Sequence, residues 1–235
     1  METIHLTVRG RKHEAALSLP DDAEPPFPAV VVLHDIYGFT NDLKRHCKRF
    51  ADAGYAAIGP DLYRGGAPSC VVKVFQSMAT NEGFAYEVIA AARTHLATRD
   101  DVDETRIAVA GFCMGGSFAL IAAADQSFAV AAPFYGAVPK KAERLRGICP
   151  TIAQFGQKDS VFLPHAKRLA RHLEELGVQH EVLIYENAGH SFMNQLEGRL
   201  AQLGRHTPIR AAYDPATERK AWTALLTFLR DTQPP

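Results

Sequence analysis

One short segment restricts the fold of this chain more than any other: a buried strand turns into a helix within a few residues. The apolar run at 106–112 leads into Gly111-Phe112-Cys113-Met114-Gly115, and the small residues of 115–124 follow directly as a helix. The glycines allow strand and helix to approach closely, because a Cβ at either position would collide with the neighbouring element. The segment therefore predicts a strand–turn–helix unit that exposes a cysteine at its turn.

The rest of the chain continues this alternation of strands and helices. Two strands are predicted within residues 4–19, around the turn Gly10-Arg11-Lys12. Further strands are predicted at 29–33, 55–59, 106–112, 130–135, 151–155 and 180–185, with helices at 41–53, 84–97, 115–124, 164–176 and 216–230. This order predicts an α/β protein with a mainly parallel sheet of about eight strands and helices on both faces. Because no linker divides the chain, we expect one domain over residues 1–235.

Charge and hydropathy exclude several classes of protein. The chain has 26 Lys plus Arg and 26 Asp plus Glu, so its formal net charge is zero. Binding to nucleic acid or to a membrane through a basic surface is disfavoured, because both need an excess of cations. No run of 18 apolar residues is present, and the N-terminus has no secretory pattern, so we expect a cytoplasmic location.

The four cysteines are widely spaced, at positions 47, 70, 113 and 149. Without a CxxC pair or an HExxH motif, neither a zinc site nor a redox dithiol is indicated. Cys47, Cys70 and Cys149 are predicted to be ordinary reduced thiols. Cys113 differs, because it occupies the glycine-flanked turn.

Cys113 stands where the G-x-S-x-G nucleophile turn of α/β-hydrolases has serine. At this point the N-terminus of the following helix favours a thiolate through its dipole and free N–H groups. The segment thus predicts a cysteine nucleophile. The alternative is a buried thiol beside an unrelated glycine turn.

Two downstream residues complete a nucleophile–acid–base order. Asp159 follows the predicted strand at 151–155, and His190 follows the predicted strand at 180–185. Since the carboxyl ends of parallel strands meet at one edge of a sheet, we expect a Cys113–Asp159–His190 triad there. Alternatively, Asp159 serves only the helix that begins near Pro164, and His190 is structural.

An oxyanion hole is expected from two backbone N–H groups. One belongs to Met114, after the nucleophile, and the other to Ile36, in the loop after the strand at 29–33. Asp35 lies beside Ile36, and its alternative interpretation is an exposed loop carboxylate.

These residues resemble the dienelactone hydrolase (carboxymethylenebutenolidase) family of α/β-hydrolases. The matching segments are Leu33-His34-Asp35-Ile36-Tyr37-Gly38, Gly59-Pro60-Asp61-Leu62-Tyr63, Gly111-Phe112-Cys113-Met114-Gly115-Gly116, Phe134-Tyr135-Gly136, Gly156-Gln157-Lys158-Asp159 and Gly189-His190-Ser191-Phe192. The resemblance implies a cysteine-dependent carboxylesterase or lactonase that works through a thioester intermediate, without metal or organic cofactor. Its substrate would be a small ester or lactone.

The resemblance also indicates residues that bind the substrate or tune the nucleophile. They are Asp35, Tyr37, Tyr63, Tyr135, Ser191, Phe192 and Asn194. Family members that cleave dienelactone usually have Glu at the position of Asp35 and, at the position of Asn194, an Arg that binds the substrate carboxylate. A second family Arg has no clear counterpart, since Arg64 and Lys73 are only nearby cations. These departures predict a substrate other than dienelactone.

Several alternatives remain open at this point. The same triad could serve acyl transfer, thioester cleavage or peptide hydrolysis, and the fold could instead carry a non-catalytic binding or redox-sensing protein. A serine hydrolase is disfavoured, because Ser117 lies within the helix and Ser191 follows the histidine. We expect a monomer or homodimer. The sequence does not decide whether residues 67–83 or 194–217 form a lid.

Overall fold

The computed structural model describes residues 1–63, 74, 76–77, 80, 82–195 and 204–233. Its strands are β1 (Glu2–Val8), β2 (Arg11–Ser18), β3 (Phe27–Leu33), β4 (Ala56–Pro60), β5 (Val102–Phe112), β6 (Ala131–Phe134), β7 (Thr151–Gly156) and β8 (His180–Tyr185). Its helices are α1 (Asn41–Asp52), α2 (Phe84–Ala97), α3 (Met114–Asp125), α4 (Leu163–Glu175) and α5 (Pro215–Thr232), with a 3₁₀ turn at Ala142–Leu145.

The strands form one eight-stranded sheet in the order β1-β2-β4-β3-β5-β6-β7-β8. β1 and β2 pair antiparallel, as do β2 and β4. The remaining neighbours in this order, β4-β3-β5-β6-β7-β8, all pair parallel. Parallel strands are buried on both faces, and the β-branched run of β3 is accordingly inaccessible to solvent. The predicted fold class is therefore confirmed.

Helices cover both faces of this sheet. On one face α1 packs against α5, where the rings of Phe50 and Trp222 lie 4.7 Å apart. On the other face α2 packs against α3, where the rings of Tyr86 and Phe118 lie 5.2 Å apart. α4 packs against β7 and β8. The carboxyl ends of β3, β5, β7 and β8 are thereby left open as one edge.

Two predicted boundaries differ from the structure. The first hairpin turns at Arg9-Gly10 rather than at Gly10-Arg11-Lys12, with φ values of +50° and +70° that suit a two-residue turn between twisted strands. β5 begins at Val102 rather than at 106. The polar residues at 103–106 are partly or fully exposed, so this part of the strand shows no apolar pattern. The other elements begin and end within two residues of their predicted limits.

Candidate active site

Cys113 lies between the last residue of β5 and the first residue of α3. Its φ of +55° and ψ of −112° are strained for a side chain with a Cβ. An added Cβ at Gly111 would come within 2.1 Å of the Gly115 carbonyl oxygen, and one at Gly115 within 2.3 Å of the Leu33 carbonyl oxygen. The glycines thus allow β5, α3 and the end of β3 to meet, which holds Cys113 in a partly exposed position above the sheet.

A buried histidine–carboxylate pair lies at the same edge. His190 Nδ1 is 2.6 Å from Asp159 Oδ2, and the two side chains are only 3% and 1% exposed. The other carboxylate oxygen accepts hydrogen bonds from the N–H groups of Val161 and Phe162, at 3.1 and 3.0 Å. Because Nδ1 faces the carboxylate, Nε2 is left for the nucleophile.

The electrostatics of His190 connect this pair to Cys113. Burial alone would lower the pKa of His190, but hydrogen bonds to Asp159 and to Cys113 outweigh it and raise the pKa to about 9. The imidazole is therefore protonated at neutral pH. The expected base and the expected nucleophile are thereby neighbours at this edge of the sheet.

Two aromatic rings enclose the imidazole of His190. The ring of Phe162 lies 4.6 Å from it and the ring of Tyr135 lies 4.8 Å from it, centroid to centroid. The sequence does not predict Phe162 as a site residue, because the strand pattern leaves the path of its loop undetermined. Its ring therefore contributes to holding the imidazole in place.

The loop after β3 presents a candidate oxyanion donor. Asp35 folds this loop: its side chain accepts the Tyr37 N–H at 2.8 Å, and its carbonyl accepts the Gly38 N–H at 3.3 Å. Among the described residues, neither the Ile36 N–H nor the Met114 N–H has a hydrogen-bond partner. Since Gly115 is packed on Leu33, the two free N–H groups belong to adjoining segments.

His34 fixes the position of this loop, a role that no motif in the sequence indicates. Its Nδ1 donates to the Asp35 carbonyl at 2.6 Å, and its Nε2 accepts the Leu62 N–H at 3.1 Å. Burial lowers the pKa of His34, so the ring is neutral and can both donate and accept. The loops after β3 and β4 are thereby tied together.

Asp35 and Tyr63 lie near the candidate triad, since the charge of His190 acts on Asp35 and the charges of Asp35 and Cys113 act on Tyr63. Burial raises the pKa of Asp35 to about 6, nearby Asp42 adds to the rise, and the Tyr37 N–H and His190 oppose it. Burial, with the charges of Asp35 and Cys113, raises the pKa of Tyr63 to about 12. The Tyr63 hydroxyl donates to Met114 Sδ at 3.2 Å.

The other predicted substrate contacts fall into two groups. Tyr37 is 45% exposed and lies at the rim of the site with Ile36, which is 50% exposed. In contrast, Tyr135 and Phe192 are fully buried, with their rings 5.0 Å apart, so they support the histidine loop from beneath rather than face solvent. Ser191 is also buried, at a φ of +60°.

The side-chain amide of Asn194 is hydrogen-bonded to neighbouring side chains at both its oxygen and its nitrogen. It is 3% exposed, accepts a hydrogen bond from the Tyr135 hydroxyl and donates one to Asp42 Oδ2 at 2.8 Å. Nothing in the sequence indicates the contact with Asp42, which lies in α1. Asn194 therefore belongs to a buried polar chain beneath the site.

Residues 204–214 are tied to the histidine loop by backbone hydrogen bonds. The His190 N–H donates to the Ile209 carbonyl at 2.8 Å, and the Ala212 N–H donates to the His190 carbonyl at 3.0 Å. The Ser160 N–H and hydroxyl both contact the Pro208 carbonyl, at 3.2 and 2.9 Å. This segment joins the loops of Asp159 and His190. Residues 196–203, and most of the stretch 67–83 considered as a lid, lie outside the described residues.

Cys47 and Cys149 are the other cysteines among the described residues. Burial raises the pKa of Cys47 and of Cys149 to about 12, which keeps both thiols protonated. Cys70, Arg64 and Lys73 lie outside the described residues. Within the part of the chain that the structure describes, no group of three or more His, Cys, Asp or Glu side chains could hold a metal ion. Over the same residues, no helix is long and apolar enough to cross a membrane.

Comparison with known proteins decides the family. The model of the dienelactone hydrolase family matches residues 14–233. This chain belongs to that family. A Yersinia pestis protein with the provisional name carboxymethylenebutenolidase is 28% identical over 78% of this chain and 75% of its own length. A Bradyrhizobium protein with the provisional name 2-oxo-3-(5-oxofuran-2-ylidene)propanoate lactonase is 27% identical over 98% of this chain and 94% of its own length.

Solved structures share the fold of this dienelactone hydrolase family member. The structure named m3DLH matches with a TM-score of 0.82 and 24% identity, over 99% of this chain and 98% of its own. A dienelactone hydrolase-like phosphotriesterase from metagenomic libraries matches with a TM-score of 0.81 and 23% identity, over the same shares of the two chains. Together with the family match, these comparisons show an α/β-hydrolase fold and a hydrolase of the esterase and lactonase type.

Proposed function

We propose that this protein hydrolyses carboxylic esters or lactones with Cys113 as its nucleophile, His190 as its base and Asp159 as the acid that orients the base. One observation carries the proposal: the buried imidazole of His190 is held by Asp159 at 2.6 Å, and Cys113 lies close enough to contribute to the raised pKa of that imidazole. This geometry lies at a strained strand–helix turn, where a nucleophile is held ready for attack.

In the first half of the proposed reaction, the Cys113 thiolate attacks the substrate carbonyl carbon and forms a carbon–sulfur bond. The carbonyl oxygen becomes an oxyanion, which accepts hydrogen bonds from the N–H groups of Ile36 and Met114. The intermediate then collapses and breaks the bond to the alcohol oxygen. The His190 imidazolium gives its proton to that oxygen, so an alcohol leaves and a thioester remains on Cys113.

In the second half, His190 is neutral and takes a proton from water, and the hydroxide formed attacks the thioester carbonyl. Collapse of this second intermediate breaks the carbon–sulfur bond and returns the thiolate, with release of the carboxylic acid. Asp159 holds Nδ1 throughout, which keeps Nε2 directed at the reacting atoms. A lactone follows the same steps and gives one hydroxy acid.

Neutral esters and lactones fit this site better than dienelactone does. The resemblance places a carboxylate-binding Arg at position 194, but this chain has Asn194, whose amide is already engaged by Tyr135 and Asp42. An amide in that position supplies no cation for a substrate carboxylate. The nearby charge of Asp42 is also unfavourable for an anionic substrate.

The proposed function is tested by turnover of neutral esters, lactones, thioesters and dienelactone by wild type, Cys113→Ala and Cys113→Ser. We expect wild type to prefer the neutral esters and lactones, and Cys113→Ala to lose at least about 10³-fold in kcat, as removal of a catalytic nucleophile does. Equal ester turnover by wild type and Cys113→Ala would overturn the assignment. Addition of an alcohol or amine acceptor distinguishes hydrolysis from acyl transfer, because a transferase gives the acylated acceptor as its main product.

A further inference from the structure

A chain of three buried side chains runs beneath His190, from α1 to the loop after β6. Asp42 Oδ2 accepts a hydrogen bond from Asn194 Nδ2 at 2.8 Å, and Asn194 Oδ1 accepts one from the Tyr135 hydroxyl. All three side chains are buried. We call these residues the Tyr135–Asn194–Asp42 chain.

At one end, the chain is anchored firmly in α1. Asp42 Oδ1 accepts hydrogen bonds from Arg45 Nε at 2.9 Å and from the Gln195 N–H at 3.0 Å. His46 Nε2 lies 3.5 Å from Asp42 Oδ2. These partners hold the pKa of Asp42 below its usual range in spite of burial, so its carboxylate stays ionised and can only accept hydrogen bonds.

The fixed carboxylate determines the orientation of every other group in the chain. Because Asp42 only accepts, the Asn194 amide must turn its NH₂ group towards it. The amide oxygen then faces Tyr135, whose hydroxyl must donate. Burial raises the pKa of Tyr135 well above its ordinary value, and the charges of Asp42 and Cys113 add to the rise, so this proton is retained.

At its other end, the chain reaches the catalytic histidine. The Tyr135 ring packs 4.8 Å from the His190 ring at an interplanar angle of 55°. Tyr135 has a φ of +40°, and its backbone N–H is held by the Gln154 carbonyl at 2.8 Å. Backbone and hydroxyl are thus both fixed, so the ring can restrict the plane of the imidazole.

We propose that Asn194 and Asp42 are positioning residues for His190, which they orient through the ring of Tyr135. The inference rests on the proposed function, in which His190 pairs with Cys113. Loss of the chain frees the Tyr135 ring, lets the imidazole turn and lengthens its hydrogen bonds to Asp159 and Cys113. A contact of Asn194 with the substrate, or a purely structural role, makes different predictions.

The test compares Tyr135→Phe, Asn194→Ala and the double variant with wild type and with Tyr185→Phe. Tyr185→Phe is the matched control, because its hydroxyl donates to Gln154 at 2.7 Å and takes no part in the chain. The first measurement is the rate of iodoacetamide alkylation of Cys113 against pH, with the modified peptide identified by mass. The second is kcat and KM for p-nitrophenyl acetate.

In Tyr135→Phe and in Asn194→Ala we expect alkylation of Cys113 at pH 7 to slow by roughly 5-fold, because the imidazolium lies farther from the sulfur. We expect kcat to fall by roughly 10-fold at an unchanged KM, since a small misplacement of a catalytic group lowers the rate strongly. The alkaline limb of the pH–rate profile should move to lower pH. The double variant should be no slower than Asn194→Ala, because both changes break one chain. Tyr185→Phe should match wild type.

Three results would overturn the inference. The first is wild-type alkylation, kcat and pH profile in both chain variants, even at a lowered melting temperature, which indicates a structural role only. The second is a rise in KM alone, which indicates a substrate contact. The third is rate losses that multiply in the double variant. If wild type fails to hydrolyse esters, the proposed function fails, while the alkylation profiles still decide whether the chain positions His190.

Discussion

At the scale of single residues, Asp159 shows how one side chain can satisfy two interpretations of a sequence. One carboxylate oxygen bonds to His190, as a triad acid does, and the other accepts two backbone N–H groups in the turn that leads into α4. The turn that Asp159 forms therefore also fixes its carboxylate for the catalytic role that we propose. The structure does not require a choice between a turn former and a catalytic acid.

Asp35 gives a prediction at this scale, because burial raises its pKa from 3.8 to about 6. The folded protein holds this proton more tightly than the unfolded chain does. The stabilising contribution is complete below about pH 4 and is lost as the pH rises through about 6. Asn at this position can still accept the Tyr37 N–H but cannot ionise. Relative to wild type, Asp35→Asn should thus gain about 2 kcal/mol in the free energy of unfolding between pH 4 and pH 7.

Urea unfolding of both proteins at several pH values measures this change. Asp101→Asn is the control: the Arg99 guanidinium holds the pKa of Asp101 below its usual range, so its carboxylate is ionised throughout and the difference from wild type stays constant between pH 5 and pH 7. A difference between Asp35→Asn and wild type that does not vary with pH would contradict the proposed burial effect.

At the scale of elements, local sequence determined most of the framework. Apolar runs bounded by glycine, proline or polar residues placed the parallel strands, and the glycine-flanked turn placed Cys113 between β5 and α3. The order of Asp159 and His190 behind it predicted the pair that the structure brings to 2.6 Å. These features are encoded within single elements and the loops that follow them, so periodicity and motif spacing reveal them.

Contacts between distant elements could not be predicted in the same way. Asn194 and Asp42 lie 152 positions apart and share no periodic pattern, so nothing in the sequence indicates their hydrogen bond. The ring of Phe162 against His190 depends on the path of the loop after β7, which the strand pattern does not determine. The resemblance assigns Asn194, Tyr135 and Phe192 to substrate binding, and only the structure shows that their side chains are buried.

The close approach of β3 and α3 gives a prediction for the turn itself. In Gly115→Ala, the new Cβ would come within 2.3 Å of the Leu33 carbonyl and 2.6 Å of the His34 carbonyl. Neither backbone group can move without displacing the loop of Ile36. We expect a loss of about 3 kcal/mol or more in unfolding free energy, together with a large fall in kcat.

The control for this prediction is Gly177→Ala, which has open space around the new Cβ and only the strain of a φ of +66°. That variant should lose about 1 kcal/mol and keep wild-type kcat. Thermal unfolding and ester turnover of the two variants provide the comparison. Equal losses of stability in both would show that the contact of α3 with β3 is not as tight as described.

At the scale of the whole molecule, a cluster of charges joins the two helices that cover one face of the sheet. Glu218 of α5 accepts hydrogen bonds from Arg45 and Arg49 of α1 at 2.7 and 2.6 Å, and from the Tyr213 hydroxyl at 2.6 Å. Arg45 also binds Asp42, so the cluster continues into the chain beneath His190. The packing of α5 on α1 and the order of the active site are therefore connected.

Glu218→Gln should destabilise the protein, because it leaves two largely buried guanidinium groups without their shared carboxylate. We expect a loss of roughly 2 kcal/mol in unfolding free energy, discounted from the value for a fully buried pair since the Arg side chains keep some contact with water. Faster amide exchange in α5 should accompany the loss. Urea unfolding and hydrogen exchange measure both effects.

The matched control is Glu87→Gln, which breaks an ion pair with Arg9 whose side chains are 39% and 62% exposed. Exposed pairs contribute little to stability, so this variant should unfold as wild type does. If Glu218→Gln also leaves the free energy of unfolding unchanged, the charge cluster does not hold the two helices together.

The claim that Cys113 forms the covalent intermediate is tested most directly by mass spectrometry of protein quenched in acid during turnover of p-nitrophenyl acetate. We predict one acetyl group on the peptide that carries Cys113, lost on treatment with hydroxylamine, and no adduct in Cys113→Ala. An acetyl group on Ser117 or Ser191 instead, or turnover by Cys113→Ala at the wild-type rate, would contradict the proposed mechanism.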